Sequence, residues 1–233
     1  IELRNTTLKE NNNKKILFLT YSNHINNENI LRLSPIITQI KKDNKIEPFV
    51  LVADPISKKA TKLNYKHTIY EYVNKEISYN SKKLANQVNN AFKGVEKNNL
   101  QYFLNNELNF LFSKEILEII FMYYLAFKRL IKMENIKEVI ITADTGLLDR
   151  TLIANLKSND IPLTIIHHGN PGTIPIETFS KTKICVKGYN FKRNLEESNF
   201  KGEIVITGSP DFDNILKYKK KIQKANKTIL LAT

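Results

Sequence analysis

Two adjacent histidines at the end of an apolar run form the stretch of this sequence best suited to chemistry. A short apolar run, Leu163–Ile166, is followed by His167, His168, Gly169 and Asn170. Histidine titrates near neutral pH, so it can take a proton from a hydroxyl group or contact a phosphate. Neighbouring strand residues point to opposite faces, so we expect one histidine to face a cleft, and the sequence leaves open which one. Gly169 allows a ligand to approach the backbone closely, with Asn170 beside it. The alternative is a purely structural pair that closes the loop.

Polar residues also follow two other predicted strands. Asp144 ends the apolar run that begins at Glu138, where it could orient a histidine or bind a hydroxyl group. Alternatively, Asp144 caps the helix predicted from Leu147 onward. Ser22 and His24 follow the first strand of the chain. Because ligands of open α/β sheets bind outside the carboxyl ends of the strands, these residues are predicted to lie on the same rim of the sheet as the two histidines.

A Gly-Ser-Pro turn precedes the last predicted helix. Gly208, Ser209 and Pro210 lie between an apolar run and a lysine-rich helix predicted over residues 211–225. The backbone N–H groups and the dipole of a helix start attract anions, so Gly208 and Ser209 are candidate binding residues. Proline in the first helical turn is equally an ordinary start signal, and the sequence does not separate the two interpretations.

The remaining charged candidates are predicted to be structural. Asp149 and Arg150, on the helix after Asp144, are expected to form a surface pair. Asp211 and Asp213 are expected to complement the helix dipole rather than to bind a metal. His67 has no predicted role.

The alternation of strand and helix patterns predicts an α/β fold with a Rossmann-like parallel sheet flanked by helices. Continuous rather than alternating apolarity indicates strands that are covered on both faces. Residues 1–13 are predicted to form a polar lead. Residues 14–226 are predicted to form the main domain, with a helical insertion at about 76–135, and residues 227–233 are predicted to be the first strand of a second, missing or truncated domain. The predicted strands are 14–21, 47–53, 65–73, 139–142, 163–166, 182–186 and 203–207, and the predicted helices are 28–43, 84–95, 116–133 and 147–159.

Composition limits the partners of the chain. The formal net charge is +13 over 233 residues, which suits anionic substrates, an anionic membrane surface or nucleic acid, or reflects lysine drift alone. The two basic clusters, residues 58–62 and 217–224, contain a single aromatic residue, Tyr218, rather than the series of aromatic residues that stacks bases, so nucleic acid is not the expected partner. A single cysteine, Cys185, excludes an internal disulfide framework. No zinc spacing, phosphate-binding glycine loop or dinucleotide fingerprint occurs, so neither a metal nor a bound cofactor is predicted.

The order of these motifs resembles a known family. A His-Gly pair after a strand, a strand ending in Val186-Lys-Gly188, and then Val205-Ile-Thr-Gly-Ser-Pro-Asp-Phe-Asp213 are similar to the first domain of GT-B-type transferases. The nearest pattern is that of surface-carbohydrate proteins and CDP-glycerol glycerophosphotransferases. The resemblance covers residues 136–233, a little under half of the chain.

The resemblance implies the first, acceptor-side half of a GT-B architecture, which would be inactive as an isolated fragment. It implies transfer of a sugar or glycerol phosphate from a nucleotide-activated donor to a hydroxyl of a cell-surface polymer or glycolipid. His168 matches the histidine of the family. The implied partners are a nucleotide-sugar or CDP-glycerol-like donor and an anionic or lipid-linked acceptor, in the cytoplasm or at the inner face of the membrane. The alternatives are a hydrolysing nucleotide-sugar 2-epimerase and a non-catalytic basic domain that binds glycan or nucleic acid.

Overall fold

The computed structural model describes residues 14–26, 29–30, 32–42, 46–53, 67–93, 112–167 and 179–210. Several predicted features lie outside these ranges. They are the lead 1–13, the residues His168, Gly169 and Asn170, the helix 211–225 with Asp211 and Asp213, and the strand 227–233.

The described residues form an α/β fold built on a seven-stranded, all-parallel sheet, as the sequence predicts. Two further short strands pair with each other as an antiparallel ribbon. In chain order the strands are β1 (Lys15–Thr20), β2 (Ile25–Asn26), β3 (Asn29–Ile30), β4 (Glu47–Val52), β5 (His67–Thr68), β6 (Ile136–Ile141), β7 (Leu163–Ile166), β8 (Thr182–Val186) and β9 (Glu203–Ile206).

Five α-helices flank this sheet within the described ranges. They are α1 (Ser34–Ile40), α2 (Lys75–Lys93), α3 (Lys114–Met133), α4 (Leu147–Ser158) and α5 (Tyr189–Glu197). In the predicted insertion at about 76–135, α2 and α3 pack against each other and lie between β5 and β6 in the chain.

The order of strands across the sheet is β5-β4-β1-β6-β7-β8-β9. The chain builds outward from β1 through β4 to β5, then returns to place β6 on the other side of β1. The direction of winding therefore reverses between β1 and β6. Such a reversal is the topological switch point of a Rossmann-like sheet, and it opens a crevice at the carboxyl ends of the two strands.

Side chains alternate between two apolar cores on the two faces of the sheet. In β1, Leu17 and Leu19 belong to the larger core and Ile16 and Phe18 to the smaller one. Helices α2 to α5 contribute to the larger core, and α1 contributes Ile37 to the smaller. All six residues of β1 are buried, which explains why its sequence is continuously apolar from Ile16 to Leu19.

A buried polar network closes the amino end of the sheet. The ammonium group of Lys15 lies 2.6 Å from Oε2 of Glu134, which follows α3. The hydroxyl of Tyr72 donates a 2.8 Å hydrogen bond to Oε1 of the same carboxylate. Burial, together with Glu134, raises the pKa of Tyr72 well above its ordinary value. The network joins β1, α3 and the 3-10 turn Ile69–Tyr72.

Two predicted elements are shorter than expected. The helix predicted over residues 28–43 begins only at Ser34, because Pro35 occupies its first turn, and residues before it form the β2–β3 ribbon. The strand predicted over residues 65–73 has two strand residues, His67 and Thr68, in the described range before the 3-10 turn begins. There the Thr68 N–H donates to Oε1 of Glu71 at 3.2 Å, a local hydrogen bond that competes with continued strand pairing.

Candidate functional site

The described candidate residues all follow the carboxyl ends of strands in the parallel sheet. Ser22 and His24 follow β1, and Asp144 follows β6, so these two segments flank the switch point. His167 directly follows β7, the next strand along. The structure therefore brings three predicted segments to adjacent positions on one edge of the sheet. Gly208 and Ser209, which follow β9, lie on the same edge but are separated from β7 by β8.

The segment after β1 is a 3-10 turn that holds Ser22 and His24. The turn spans Ser22–His24, and its last residue donates a backbone hydrogen bond of 2.9 Å to the carbonyl of Tyr21. The imidazole ring of His24 packs edge-on against the ring of Tyr21, with 5.8 Å between centroids. Both side chains are half-buried. Tyr21 thus supports the position of His24.

Tyr21 also reaches across the switch point to a carboxyl group on α4. Its hydroxyl donates a 2.9 Å hydrogen bond to Oδ2 of Asp149, 128 positions further along the chain. The backbone N–H of Gly146, in the turn after β6, donates to the same oxygen at 3.2 Å. Through Asp149, this Tyr21–Asp149 bridge connects the segment after β1 to the turn after β6.

The predicted surface pair of Asp149 and Arg150 is wrong. Asp149 is only 2% exposed, whereas Arg150 is exposed. The helical pattern contained the signal for this burial. Asp149 precedes Leu152 and Leu156 by three and seven positions, so it lies on the same stripe of α4 as the buried leucines.

The environment of Asp149 perturbs its ionisation. Burial raises the pKa of the Asp149 carboxyl group from 3.8 to about 6, against the hydrogen bonds from Tyr21 and Gly146, which lower it. The nearby carboxylate of Asp144 adds to the rise, because two like charges disfavour one another. A buried carboxyl group with a raised pKa, close to the carboxyl end of the sheet, makes Asp149 a candidate functional residue.

Asp144 is not the cap of α4, so that alternative prediction is also wrong. The N-cap residue is Gly146, and Asp149, three residues later, accepts the hydrogen bond from its N–H. A Cβ atom at Gly146 would lie 2.7 Å from Oδ2 of Asp149 and 3.1 Å from the hydroxyl oxygen of Tyr21. A side chain at this position would have to displace the Tyr21–Asp149 bridge, which occupies the same space.

His167 continues the strand ladder by one residue. Its N–H donates a 3.1 Å hydrogen bond to the carbonyl of Cys185 in β8, so its backbone position is fixed by the sheet. The residue is partly exposed at the sheet edge. Its partners in the predicted loop, His168, Gly169 and Asn170, lie outside the described residues.

Buried hydroxyl groups end the strands on both sides of the switch point. Thr20, the last residue of β1, is 1% exposed, and its Oγ1 has no hydrogen-bond partner among the described residues. Thr142, which follows β6, is also buried. An unsatisfied buried hydroxyl is uncommon in folded proteins. Neither threonine is among the site residues predicted from the sequence.

Gly208 forms a left-handed turn after β9. Its φ angle is +75°, a conformation that suits glycine, and the preceding Thr207 N–H donates to the carbonyl of Val186 at 3.0 Å. Ser209 and Pro210 are the last two described residues. The choice between an anion site and ordinary capping at this turn depends on the helix after it, which lies outside the described residues.

Two open depressions lie away from these segments. One, at the amino end of the sheet, is lined by residues that include Lys132, Asn135 and Asp160, and the other lies along α5 beside Tyr189 and Arg193. Neither contains the predicted site residues. We favour the carboxyl edge as the functional site because ligands of open parallel sheets bind there.

The described part of the chain has no group of three or more His, Cys, Asp or Glu side chains arranged to hold a metal ion. In those same ranges, none of the helices combines the length and apolar character needed to cross a membrane.

The fold and the switch-point residues define a Rossmann-like α/β protein with a candidate ligand site at the carboxyl edge of its sheet. A scan of the chain against protein-family models gives no match, and neither does a comparison with curated protein sequences.

Proposed function

We propose that this chain is the acceptor-side, Rossmann-like domain of a GT-B-type transferase. The enzyme would move a sugar or glycerol phosphate from a nucleotide-activated donor to a hydroxyl group of a cell-surface polymer or glycolipid. One observation carries the proposal: polar candidate residues follow three adjacent parallel strands, β1, β6 and β7, around the switch point of the sheet. The order of sequence motifs described above then favours this class of transferase over other proteins with a parallel sheet.

The proposed reaction needs a proton acceptor and a binding site for anionic groups. His168 takes the proton from the attacking hydroxyl group or contacts a phosphate of the donor, and Gly169 allows close approach to the backbone. Ser22, His24 and Asp144 contact the hydroxyl groups of the acceptor. The net charge of +13 attracts a phosphorylated donor and an anionic acceptor, and it suits work at the anionic inner face of a membrane.

Thermal unfolding in the presence of candidate donors tests the proposal. UDP-glucose, GDP-mannose, CMP-N-acetylneuraminate and CDP-glycerol are each added to the purified full-length protein. A donor present at a hundred times its Kd stabilises the folded state by about 2.7 kcal/mol, which raises the Tm of a domain of this size by roughly 5–10 °C. We expect one donor to produce such a shift and the others to produce little.

The net charge also favours a second candidate, a basic module that binds polyanions without catalysis. A single-stranded oligonucleotide separates the two functions, because its binding would weaken steeply between about 50 and 200 mM salt. Stabilisation by the oligonucleotide alone, with that salt dependence and no effect of any donor, would contradict the transferase proposal.

Substitution of His168 tests its catalytic role. In the full-length protein, His168→Ala should lower turnover by about a hundredfold or more, since a positioned acid or base contributes at least that factor. His67→Ala is the matched control. His67 lies in β5, the edge strand on the side of the sheet away from β7, β8 and β9, and its ring stacks on that of Phe49 with 4.7 Å between centroids. Its loss should therefore leave turnover unchanged. Equal turnover in both variants would remove the role of His168.

A further inference from the structure

Tyr21 and Asp149 connect the two segments that flank the switch point. Tyr21 directly precedes Ser22, and its ring packs against His24. On the other side, Gly146 follows Asp144 by two residues and donates its N–H to the carboxyl group that Tyr21 also contacts. The bridge therefore contacts both of the segments that carry candidate residues.

Both hydrogen bonds to Asp149 end on the same oxygen, Oδ2, at 2.9 Å from Tyr21 and 3.2 Å from Gly146. Hydrogen bonds to an ionised acceptor are shorter and roughly twice as strong as those to a neutral one. The Tyr21–Asp149 bridge is therefore tightest when the carboxyl group is ionised, although burial at 2% exposure disfavours that form.

We propose that Asp149 is a positioning residue of the transferase site. Through Tyr21 and Gly146, its ionised carboxylate sets the spacing between the segments after β1 and β6. This spacing controls the affinity of the crevice for its ligand. The inference rests on the function proposed above. Asp149 does not itself contact the reacting atoms in this scheme. It acts through Tyr21 on Ser22 and His24, and through Gly146 on the Asp144 segment.

Several titratable groups surround this carboxyl group in the described structure. From the end of β1 comes Tyr21, and His24 contacts the ring of Tyr21. From the loop after β6 comes Asp144, whose charge acts directly on Asp149. Helix α3 packs on α4, and the carbonyl of Tyr124 in α3 accepts a hydrogen bond from the side chain of Asn155. This contact lies well over a helical turn beyond Asp149. Protonation of Asp149 near pH 6 is thus expected to be felt at Tyr21 and Gly146 first.

Amide resonances measured by NMR without ligand test the bridge directly. Between pH 4.5 and 8, the amides of Ser22, His24 and Gly146 should share a transition with a midpoint near 6 in the wild-type protein. In Asp149→Asn, which keeps an oxygen acceptor but cannot ionise, the shared transition should disappear. In Tyr21→Phe, the amide resonance of Gly146 should still show the transition near pH 6. The amides of Ser22 and His24 should lose the transition that they share with Gly146.

The two variants also distinguish the bridge from the titration of His24 itself. A transition at Ser22 and His24 that persists unchanged in Asp149→Asn or Tyr21→Phe would originate at the histidine and would overturn the proposal. Both substitutions preserve the size of the side chain closely, and far-UV circular dichroism checks that each variant is folded.

Binding measurements then connect the bridge to function. For whichever of the four donors binds the wild-type protein, the Kd should rise about fivefold from pH 7.5 to pH 5. In Asp149→Asn, the Kd for the same donor should be several-fold higher than in the wild-type protein at pH 7.5, and it should be nearly independent of pH. Equal pH profiles in the two proteins would overturn the positioning role and leave the transferase proposal intact. If no donor binds either protein, the proposed function fails, while the amide transitions still decide whether the bridge couples the two segments.

Discussion

At the residue scale, the buried Asp149 makes stability depend on pH. Its pKa is about 6 in the folded protein against 3.8 ordinarily, so its ionisation opposes folding. The stabilising contribution of the neutral Asp149 carboxyl group is therefore fully present below about pH 4 and is lost as the pH rises through 6. At pH 7.5 the penalty is on the order of 2–3 kcal/mol.

We expect Asp149→Asn to unfold at a higher Tm than the wild-type protein at pH 7.5 and at the same Tm near pH 4. Glu197→Gln, which removes an exposed carboxylate paired with Arg193 at 3.8 Å, is the control and should change little at either pH. Scanning calorimetry at the two pH values checks the prediction. A lower Tm for Asp149→Asn at pH 7.5 would mean that the ionised group stabilises the fold.

Gly146 leaves room for the Tyr21–Asp149 bridge, whereas its backbone conformation does not call for glycine. Its φ and ψ angles of −70° and 156° suit any residue, but a Cβ atom would crowd Asp149 and Tyr21. We predict that Gly146→Ala lowers the free energy of unfolding by about 1–3 kcal/mol, as overpacking usually does. Urea unfolding measures the change.

Gly188→Ala provides the matched control for that substitution. Gly188 is also the N-cap of a helix, α5, and a Cβ atom there would meet no atom within 4 Å in the described structure. Its backbone is fully extended, with φ at −177°. A similar loss of stability in both variants would show that the space occupied by the Tyr21–Asp149 bridge is not the cause.

The site residues that the sequence predicts can be recognised from a local pattern, whereas those it does not predict depend on contacts between distant parts of the chain. Asp144 and His167 could be selected because an apolar run marks a strand, and the residue after it must lie at the sheet edge. The contact of Tyr21 with Asp149 depends on β1 and β6 being neighbours, and nothing local to either residue encodes that. Asp149 itself was missed because a charged residue on an apolar stripe was assigned to the surface.

At the element scale, left-handed Asn and Asp residues terminate the helices that lead into strands. Asn135, Asp160 and Asn199 have φ angles of 51°, 55° and 58° after α3, α4 and α5. After α5, the Phe200 N–H donates to the Leu195 carbonyl at 3.2 Å, the 6→1 bond of a Schellman motif. These turns aim each chain segment into the next strand of the sheet.

We predict that Asn199→Ala destabilises the protein by about 1 kcal/mol, since alanine tolerates the left-handed conformation poorly. Asn194→Ala, an exposed substitution inside the same helix, should be neutral or slightly stabilising because alanine is the better helix former. Chemical denaturation of the two variants measures the difference. Equal effects would indicate that the conformation of residue 199 does not limit stability.

The lengths of elements were predictable only where local signals agreed with tertiary pairing. Helix α3 matches its predicted span closely, because Ser113 caps its start through the N–H of Ile116 and the apolar pattern runs to its end. Strand β5 does not, because its pairing with β4 is confined to His67 and Thr68 before the local Thr68–Glu71 hydrogen bond takes over.

At the scale of the whole molecule, the two ends of the sheet have different tasks. The amino end is closed by the Lys15–Glu134–Tyr72 network, in which the Lys15 and Glu134 side chains are 6% and 14% exposed. The carboxyl end carries the candidate site. This separation predicts that a substitution in the network changes stability without changing ligand affinity.

Glu134→Gln should therefore lower the free energy of unfolding by roughly 3–5 kcal/mol, because it leaves the buried ammonium group of Lys15 without its counter-charge. Glu118→Gln removes an exposed pair with Lys82 at 3.9 Å and should change stability by less than about 1 kcal/mol. Urea unfolding compares the two. A Glu134→Gln protein that retains its stability but loses ligand binding would contradict the division of tasks between the two ends of the sheet.

The parallel α/β class was predictable from continuously apolar strands alternating with helical patterns, since such strands must be covered on both faces. The order of the strands was not, because the crossover through α2 and α3 could have placed β6 on either side of the existing strands. It is that order which places the segments after β1 and β6 next to each other and creates the candidate crevice.

Mapping of ligand contacts by NMR tests most directly whether the carboxyl edge is the functional site. Spectra are recorded during titration with UDP-glucose, GDP-mannose, CMP-N-acetylneuraminate and CDP-glycerol. We predict that the binding donor shifts the amides of Ser22, His24, Gly146 and His167, at the ends of three adjacent strands. Shifts confined to the opposite end of the sheet, around Lys132, Asn135 and Asp160, would contradict the assignment of the site.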